Sequence, residues 1–418
     1  MTSIDASDLR SADYLPARRG LAFSVGGLLN VCVAVLIASS SVIFIEPAPY
    51  EFIFLLTFLI FLFSGAHVPV IIVPLLILAV LYAGGGLMSL MPFFRDEDAV
   101  QFTVVSAYLL VTAVFFAAFV SQNTERRLRL VLNWWVVAAV IGAVTGILGY
   151  LDIAGAGKLF SLYDRASGTT KDPNVLGALL VLPTGYVMYR FVKGGVDAPL
   201  WCCLLVVLAG AIFVTFSRGA WANMAGSSVL IMGLLFLTTP SNALKWRIII
   251  LGALACLVLA IALSAALSVP DVREAFLDRF TLTKSYDVGE TGRFGNQLRS
   301  IPMLLDRPNG FGPLQFRTFF SEEPHNTFIN AFASYGWLGG ISFLALILST
   351  WIIGWRLVLI ATPWQPLSIV VWSVTFMTTL QCFQIDVDHW RHFFLLIGLT
   401  WGLFAASQRY RLTPPRSR

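Results

Sequence analysis

The sequence predicts an all-α polytopic integral membrane protein with about twelve transmembrane helices. Of its 418 residues, 57% are hydrophobic and only 12% are charged, whereas a typical soluble domain carries about 25% charged residues. Charges this sparse do not cover the surface of a soluble fold of this length. The composition therefore excludes a cytoplasmic globular enzyme, a nucleic-acid-binding protein and a disordered chain.

The apolar runs follow one another with mostly short polar connections. A membrane-spanning helix needs roughly 20 apolar residues, and the run at 52–64 is shorter than this. The run at 70–93 contains Gly84, Gly85 and Gly86, and three consecutive glycines favour a break or kink in it. The predicted spans are, in order, 21–45, 52–64, 70–93, 101–121, 131–151, 174–192, 200–216, 220–238, 248–268, 326–355, 367–384 and 392–408.

The distribution of basic residues predicts the orientation of the chain, because cytoplasmic loops are enriched in Lys and Arg. With both tails (1–20 and 409–418) in the cytoplasm, 15 of the 28 basic residues face inward and 13 face outward. Seven of the outward residues lie in one long loop, 269–324. The sequence thus predicts a membrane domain over 21–408 with cytoplasmic termini and an arginine-rich outer loop.

Arg218 lies between two apolar runs that leave no room for a real loop. A charge deep in the bilayer costs about 3 kcal/mol on insertion scales. In one interpretation, Arg218 lies in a turn and its side chain extends to the membrane interface. In the other, its guanidinium holds an anion at the membrane surface. Spacing alone does not distinguish the two.

Three arginines of the long outer loop are further candidates for binding an anion. They are Arg293, Arg299 and Arg307. A guanidinium presents a rigid fork of donors that matches phosphate oxygens two at a time. A diphosphate ligand would explain such residues on an outer loop. Ion pairs with the acidic residues of the same loop would explain them equally well.

His325 is one of four histidines and precedes Asn326 and Thr327, either of which can cap the helix that follows. A partly hydrated histidine titrates near neutrality and can act as a general base. The alternative is a surface histidine with no chemical role.

Residues 386–392 read DVDHWRH, a composition that metal sites share. Interfacial loops often carry such residues, and we predict no metal there. The main competing class is a transporter or flippase of lipid-linked sugars. The sequence lacks the phosphate-binding loop of ATP-driven transport and an acidic cluster in the middle of the spans, which ion-coupled transporters usually need.

The chain resembles the O-antigen ligase superfamily over 165–345. Gln297 stands where members of the family often carry tryptophan, a difference that we expect to affect packing more than chemistry. The segments that carry the resemblance are, in order, 168–174 (GTTKDPN), 217–219 (SRG), 291–293 (TGR), 306–312 (DRPNGFG), 325–326 (HN) and 335–340 (YGWLGG).

The resemblance implies a GT-C-like, metal-independent membrane glycosyltransferase with no cofactor and no nucleic-acid partner. Its donor would be an undecaprenyl-diphosphate-linked glycan at the periplasmic face of the bacterial inner membrane. Transfer to lipid A–core, the ligase reaction, is predicted ahead of polymerisation of repeat units. The sequence leaves the identity of the glycan and the oligomeric state open.

The resemblance also implies roles for individual residues. Arg218 and Arg293 would stabilise the charge of the departing lipid diphosphate. His325 would take the proton of the acceptor hydroxyl, with inversion at the anomeric carbon. The substrate-binding residues would be Arg218, Arg293, Arg299, Asp172 and Asn326.

Overall fold

The computed structural model describes residues 25–43, 48–65, 68–280, 289 and 292–412, and the structural statements below refer to these. The N-terminal tail 1–20, the end of the C-terminal tail and Thr291 of the resembling motif lie outside the described residues. Fifteen α-helices occur in the described part: α1 (Val25–Ala38), α2 (Pro49–Phe63), α3 (Val73–Leu90), α4 (Glu97–Val120), α5 (Thr124–Tyr150), α6 (Gly157–Phe160), α7 (Pro173–Lys193), α8 (Ala198–Val214), α9 (Arg218–Thr238), α10 (Asn242–Ala266), α11 (Pro270–Phe280), α12 (Arg293–Leu305), α13 (Thr327–Val358), α14 (Gln365–Gln381) and α15 (Arg391–Leu412).

The all-α membrane architecture predicted from composition is confirmed. Seven of the described helices are long and apolar enough to cross a membrane, namely α3, α4, α5, α7, α9, α10 and α13. Three shorter apolar helices, α1, α2 and α8, coincide with further predicted spans. Helices α14 and α15 coincide with the last two. The exact number of spans stays a prediction.

Polar side chains fix where several helices begin. Asp96 accepts hydrogen bonds from the backbone of α4, and Asp172 does the same for α7. Ser217 accepts from the backbone of Ala220 in α9, and Asn326 from the first turn of α13. Such caps satisfy backbone donors that a helix start leaves open.

The helices pack in pairs around a buried core. Helix α3 lies against α13, α4 against α15, α9 against α14, and α7 contacts both α8 and α9. Large aromatic side chains are fully buried in the core, among them Phe115, Tyr335 and Trp372. Helix α10 lies at the periphery, with most of its apolar side chains exposed, as expected for a helix that faces lipid.

The three glycines of α3 do not break the helix, contrary to the sequence-based expectation. The helix is continuous through Gly84, Gly85 and Gly86. A side chain at Gly85 would place its Cβ 2.5 Å from the backbone nitrogen of Gly339 on α13. The glycines therefore let α3 and α13 approach closely.

The break instead falls in α13, at Gly336. This residue has φ +64°, which favours glycine, and an added Cβ would collide with the carbonyl oxygen of Pro308. The next backbone N–H, of Trp337, donates to that same carbonyl at 2.8 Å. The turn at 308–310, in the predicted outer loop 269–324, therefore packs against the bend of α13.

Candidate active site

A polar cavity of about 250 Å³ lies where several helices begin. We call it the arginine cavity. It is lined by Arg165, Asn174, Phe216, Ser217, Arg218, Gly219, Arg293, Glu322, His325, Gln381, Gln384 and Ile385. The structure thus brings together Arg218, Arg293 and His325, which the sequence separates by 75 and 32 residues.

The two predicted arginines occupy equivalent places in their helices. Arg218 is the first residue of α9, and Arg293 is the first residue of α12. Helix α7 begins at Pro173, the residue before Asn174 of the cavity, and α13 begins at Thr327, two residues after His325. A helix start carries about half a positive charge and points backbone N–H groups outward. Four such starts therefore add to the charge of the arginines and favour an anion in this cavity.

Arg165 is a third arginine of the cavity, and sequence reasoning did not single it out. It lies in β2 (Arg165–Ala166), which pairs antiparallel with β1 (Ser161–Leu162). Its Nε donates to the carbonyl oxygen of Thr215 at 2.8 Å, and its Nη2 donates to Asn174 Oδ1 at 3.0 Å. Arg165 therefore ties the start of α7 to the turn before Arg218. The only sequence signal was its place in 152–173, a polar segment between two predicted spans.

Lack of space explains why a glycine, Gly219, follows Arg218. A Cβ on Gly219 would lie 2.7 Å from Nε2 of Gln381, the last residue of α14. The Gln381 side chain is itself held in place, because its Oε1 accepts a hydrogen bond from Asn223 Nδ2 at 3.0 Å. The SRG motif thus lets α9 and α14 close one side of the cavity.

His325 adopts a backbone conformation that non-glycine residues rarely take, with φ +46°. Such strain persists where the surrounding structure holds it. Its Nδ1 lies 3.9 Å from Oδ2 of Asp386, and 39% of its side chain is exposed. The imidazole therefore has one nitrogen toward a buried carboxyl group, while the ring remains accessible from the cavity.

The start of α13 is fastened to the connection between α14 and α15. The backbone N–H of Thr327 donates to the carbonyl oxygen of Cys382 at 2.8 Å. The Thr327 hydroxyl donates to the carbonyl oxygen of Ile385 and accepts from the N–H of Val387. These bonds place Asp386 beside His325.

Burial, together with the nearby carboxyl groups of Asp388 and Glu323, raises the pKa of Asp386 to about 8. The positive charge of Arg293 opposes this increase. Asp386 therefore holds a proton through much of the neutral range. The pKa of Glu323 is also raised by burial, although its ion pair with Arg317, 2.6 Å long, opposes the shift.

Three residues predicted to bind substrate do not line the arginine cavity. Asp172 is occupied as the cap of α7, accepting from Asn174 N at 2.6 Å. Asn326 caps α13. The Arg299 guanidinium bonds to Asn296 Oδ1 and lies over the ring of Phe320. Asp172 and Asn326 thus shape the site through the helices that they cap.

The 386–392 segment is hydrogen-bonded into the protein interior. Asp388 Oδ2 accepts from Asn330 Nδ2 at 2.8 Å, and His389 Nε2 lies 3.1 Å from Ser106 Oγ. Arg391 forms an ion pair with Glu51 at 2.5 Å. Among the described residues, no group of three or more His, Cys, Asp or Glu side chains is arranged to hold a metal ion.

Residues 203–344 match a family model described as O-antigen ligase. This region belongs to the O-antigen ligase family. The matched O-antigen ligase region contains Arg218, Arg293 and His325, while Arg165, Asn174, Gln381 and Asp386 come from segments outside it. The resemblance seen in the sequence is thereby confirmed over this region, which is similar to membrane enzymes of the O-antigen ligase and polymerase type. The comparison with curated proteins finds no match to the chain.

Proposed function

We propose that the protein transfers a glycan from an undecaprenyl-diphosphate carrier to an acceptor hydroxyl, with lipid A–core as the acceptor. The observation that carries this proposal is the convergence of Arg218, Arg293 and His325 on one cavity, together with four helix starts. Two arginine forks suit a diphosphate, and a histidine suits a hydroxyl that must lose its proton.

The arginine cavity stabilises the negative charge that develops on the diphosphate as the donor is cleaved. The acceptor oxygen forms a bond to the anomeric carbon while the bond from that carbon to the phosphate oxygen breaks. The electron pair of the broken bond stays on the lipid diphosphate, where Arg218, Arg293 and the helix starts stabilise it. A single displacement of this kind inverts the configuration of the anomeric carbon.

His325 supplies the other half of the reaction. Its Nε2 takes the proton of the acceptor hydroxyl as the new bond forms. Its Nδ1 faces Asp386, whose carboxyl group orients the ring and can exchange a proton with it. Arg165 helps to shape the cavity, because its hydrogen bonds hold Asn174 and the turn before Arg218 in place.

The enzyme would lie in the inner membrane with the arginine cavity at its periplasmic face. The cavity residues support this placement because they lie at the ends of spans that the basic-residue distribution puts outside. A lipid-linked donor can reach such a cavity from the outer leaflet.

The test is reconstitution of the full chain in liposomes with an undecaprenyl-diphosphate-linked glycan. Lipid A–core is supplied in one reaction, and the donor alone in another. Glycan on lipid A–core, with the inverted anomeric configuration by NMR, supports the ligase reaction. A ladder of longer lipid-linked glycans identifies the repeat-unit polymerase instead. No product in either reaction, with an Arg218→Ala variant behaving identically, contradicts the proposal.

A further inference from the structure

Helix α12 exposes apolar side chains and buries polar ones. Asn296, Gln297 and Ser300 face the protein and are at most 9% exposed. A surface helix of a soluble protein shows the opposite arrangement, with its apolar side chains toward the core. Four large side chains of α12 are instead 45–71% exposed, and we call them the apolar stripe: Phe294, Leu298, Ile301 and Leu305.

The spacing of these residues gives α12 three distinct sides. Residues of the apolar stripe follow Phe294 by four, seven and eleven positions, so they share one side of the helix. Arg299 and Asp306 are exposed and lie on another side. At about 100° per residue, the protein-facing, apolar and charged sides are centred roughly 120° apart. This arrangement suits a helix at the membrane interface, where protein, lipid and water each contact one side.

A groove of about 380 Å³ extends the apolar stripe onto α13. Ile301 and Leu305 of the stripe line one wall, and Phe332, Trp337 and Ile341 of α13 line the other. The indole Nε1 of Trp337 donates to the carbonyl oxygen of Leu304 at 2.9 Å, so the two helices are joined at the groove. Every side chain that lines the groove is hydrophobic. The chemistry of its walls therefore favours a hydrocarbon occupant.

The groove is continuous with an exposed apolar side of α13, a helix long and apolar enough to cross a membrane. Ile341 belongs to both the groove and that side of the helix. Trp337, 40% exposed, lies where the two meet, and tryptophan is enriched where hydrocarbon meets water. The exposed side consists of residues three or four positions apart that are 40–57% exposed, namely Ile341, Leu344, Leu348 and Ile352.

We propose that α12 is an interfacial helix whose apolar stripe and groove contact the hydrocarbon chains of membrane phospholipids. The size of the side chains favours lipid over a second copy of the chain. Contacts between membrane helices are enriched in small residues, whereas the stripe and the groove consist of Phe, Leu, Ile and Trp. A water-soluble partner is disfavoured, because the same apolar surface continues along a predicted membrane span.

This contact sets the depth of Arg293 relative to the membrane. Arg293 is the first residue of α12 and lines the arginine cavity. A helix held by its apolar side at the boundary between headgroups and hydrocarbon keeps its first residue near the headgroups. Under the proposed function, this is the level at which a lipid carrier presents its diphosphate. The lipid contact itself does not depend on that function.

Photo-crosslinking of the full chain in vesicles of phosphatidylethanolamine and phosphatidylglycerol tests the contact. The photoreactive residue p-benzoylphenylalanine replaces Leu298 in one variant and Leu305 in another. Both positions are well exposed, so the larger side chain has room. The matched controls carry it in place of Arg299 or Asp306, each one residue further along on the charged side. By mass spectrometry, we expect several-fold more phospholipid adduct at 298 and 305 than at 299 and 306.

Three results would overturn the proposal. The first is equal phospholipid adduct at all four positions. The second is a cross-linked dimer as the main product at 298 or 305, which would place a second copy of the chain on the apolar stripe. The third is preferential labelling of undecaprenyl phosphate, added to the vesicles as a minor lipid, which would assign the groove to a carrier chain. The vesicles contain no glycan donor or acceptor, so a failed transferase reaction leaves this test unaffected.

Discussion

Gln297 Nε2, on α12, donates a hydrogen bond of 2.8 Å to the carbonyl oxygen of Pro324, the residue directly before His325. Gln297 lies one helical turn after Arg293, so a single bond joins the helix that begins with Arg293 to the backbone next to His325. Gln297 is 9% exposed and stands at the position that differs from the family pattern. This contact predicts that Gln297 positions two groups that must act on one substrate.

Gln297→Leu keeps most of the side-chain volume and removes this hydrogen bond. We expect kcat to fall roughly 3- to 10-fold, because small misplacements of reacting groups slow a reaction strongly. The KM of the donor should change little, since Arg218 remains in place. Steady-state kinetics in liposomes measures both quantities. Gln315→Leu is the control, because Gln315 bonds to Asp96 away from the cavity. An equal loss in both variants would show a general effect on folding.

Arg218→Lys and Arg293→Lys retain the charge but lose the two-pronged geometry. We expect each to lower kcat/KM by 10-fold or more, about 1.4 kcal/mol of transition-state stabilisation. Arg307→Lys is the matched control, since Arg307 lies in the same outer loop over the rings of Phe311 and Phe319. Near-wild-type turnover in both cavity variants would mean that the two arginines only anchor their helices.

His325→Ala separates chemistry from binding. A general base contributes about 10²–10⁴-fold to a rate, so we expect a loss of that size in kcat with donor affinity close to that of the wild type. The wild-type rate should also fall at acidic pH, because a protonated imidazole cannot accept the proton. If His325→Ala loses donor binding, and if the wild-type rate does not fall at acidic pH, the histidine is instead a phosphate ligand. Glu322, which lines the cavity, would then be the next candidate base.

The raised pKa of Asp386 predicts that the stability of the folded protein depends on pH. Its pKa in the folded protein, about 8, is above that of an exposed aspartate, so folding strengthens proton binding. Its stabilising contribution is complete below about pH 4 and is lost as pH rises through about 8. We expect Tm to fall as pH rises from about 5 to about 8, and to fall less in Asp386→Asn, as measured by thermal unfolding in detergent.

Asp197→Asn serves as the control for this experiment. Asp197 lies outside the predicted spans, and hydrogen bonding from Trp201 and Arg190 lowers its pKa. A lowered pKa affects stability only in the acidic range, so this variant should keep the wild-type decline between about pH 5 and 8. An identical decline in Asp386→Asn would show that other groups cause it.

Local sequence signals predicted much of this fold. Apolar length indicated the helices, and the caps Asp172 and Asn326 stand where their residue types favour helix starts. The effect of Gly84, Gly85 and Gly86 was not predictable in the same way. It depends on Gly339, which is distant in sequence and adjacent only after α3 packs on α13.

The same limit applies to the candidate site. Arg218 and His325 stood out as a costly and a reactive residue at the edge of apolar runs, and Arg293 stood out as a guanidinium in the long predicted outer loop. Arg165 and Asp386 did not, since their importance comes from partners far along the chain, Thr215 and His325. The composition of 386–392 is one that metal sites share, but only the structure shows that these side chains form internal hydrogen bonds and an ion pair.

The four helix starts around the arginine cavity come from positions between Pro173 and Thr327. During synthesis, the chain therefore has no complete anion site until α13 has entered the bilayer and α14 has followed to hold Thr327. A nascent or truncated chain would expose isolated arginines without the opposing histidine. Under the proposed function, the chain would therefore become reactive only when its insertion is nearly complete.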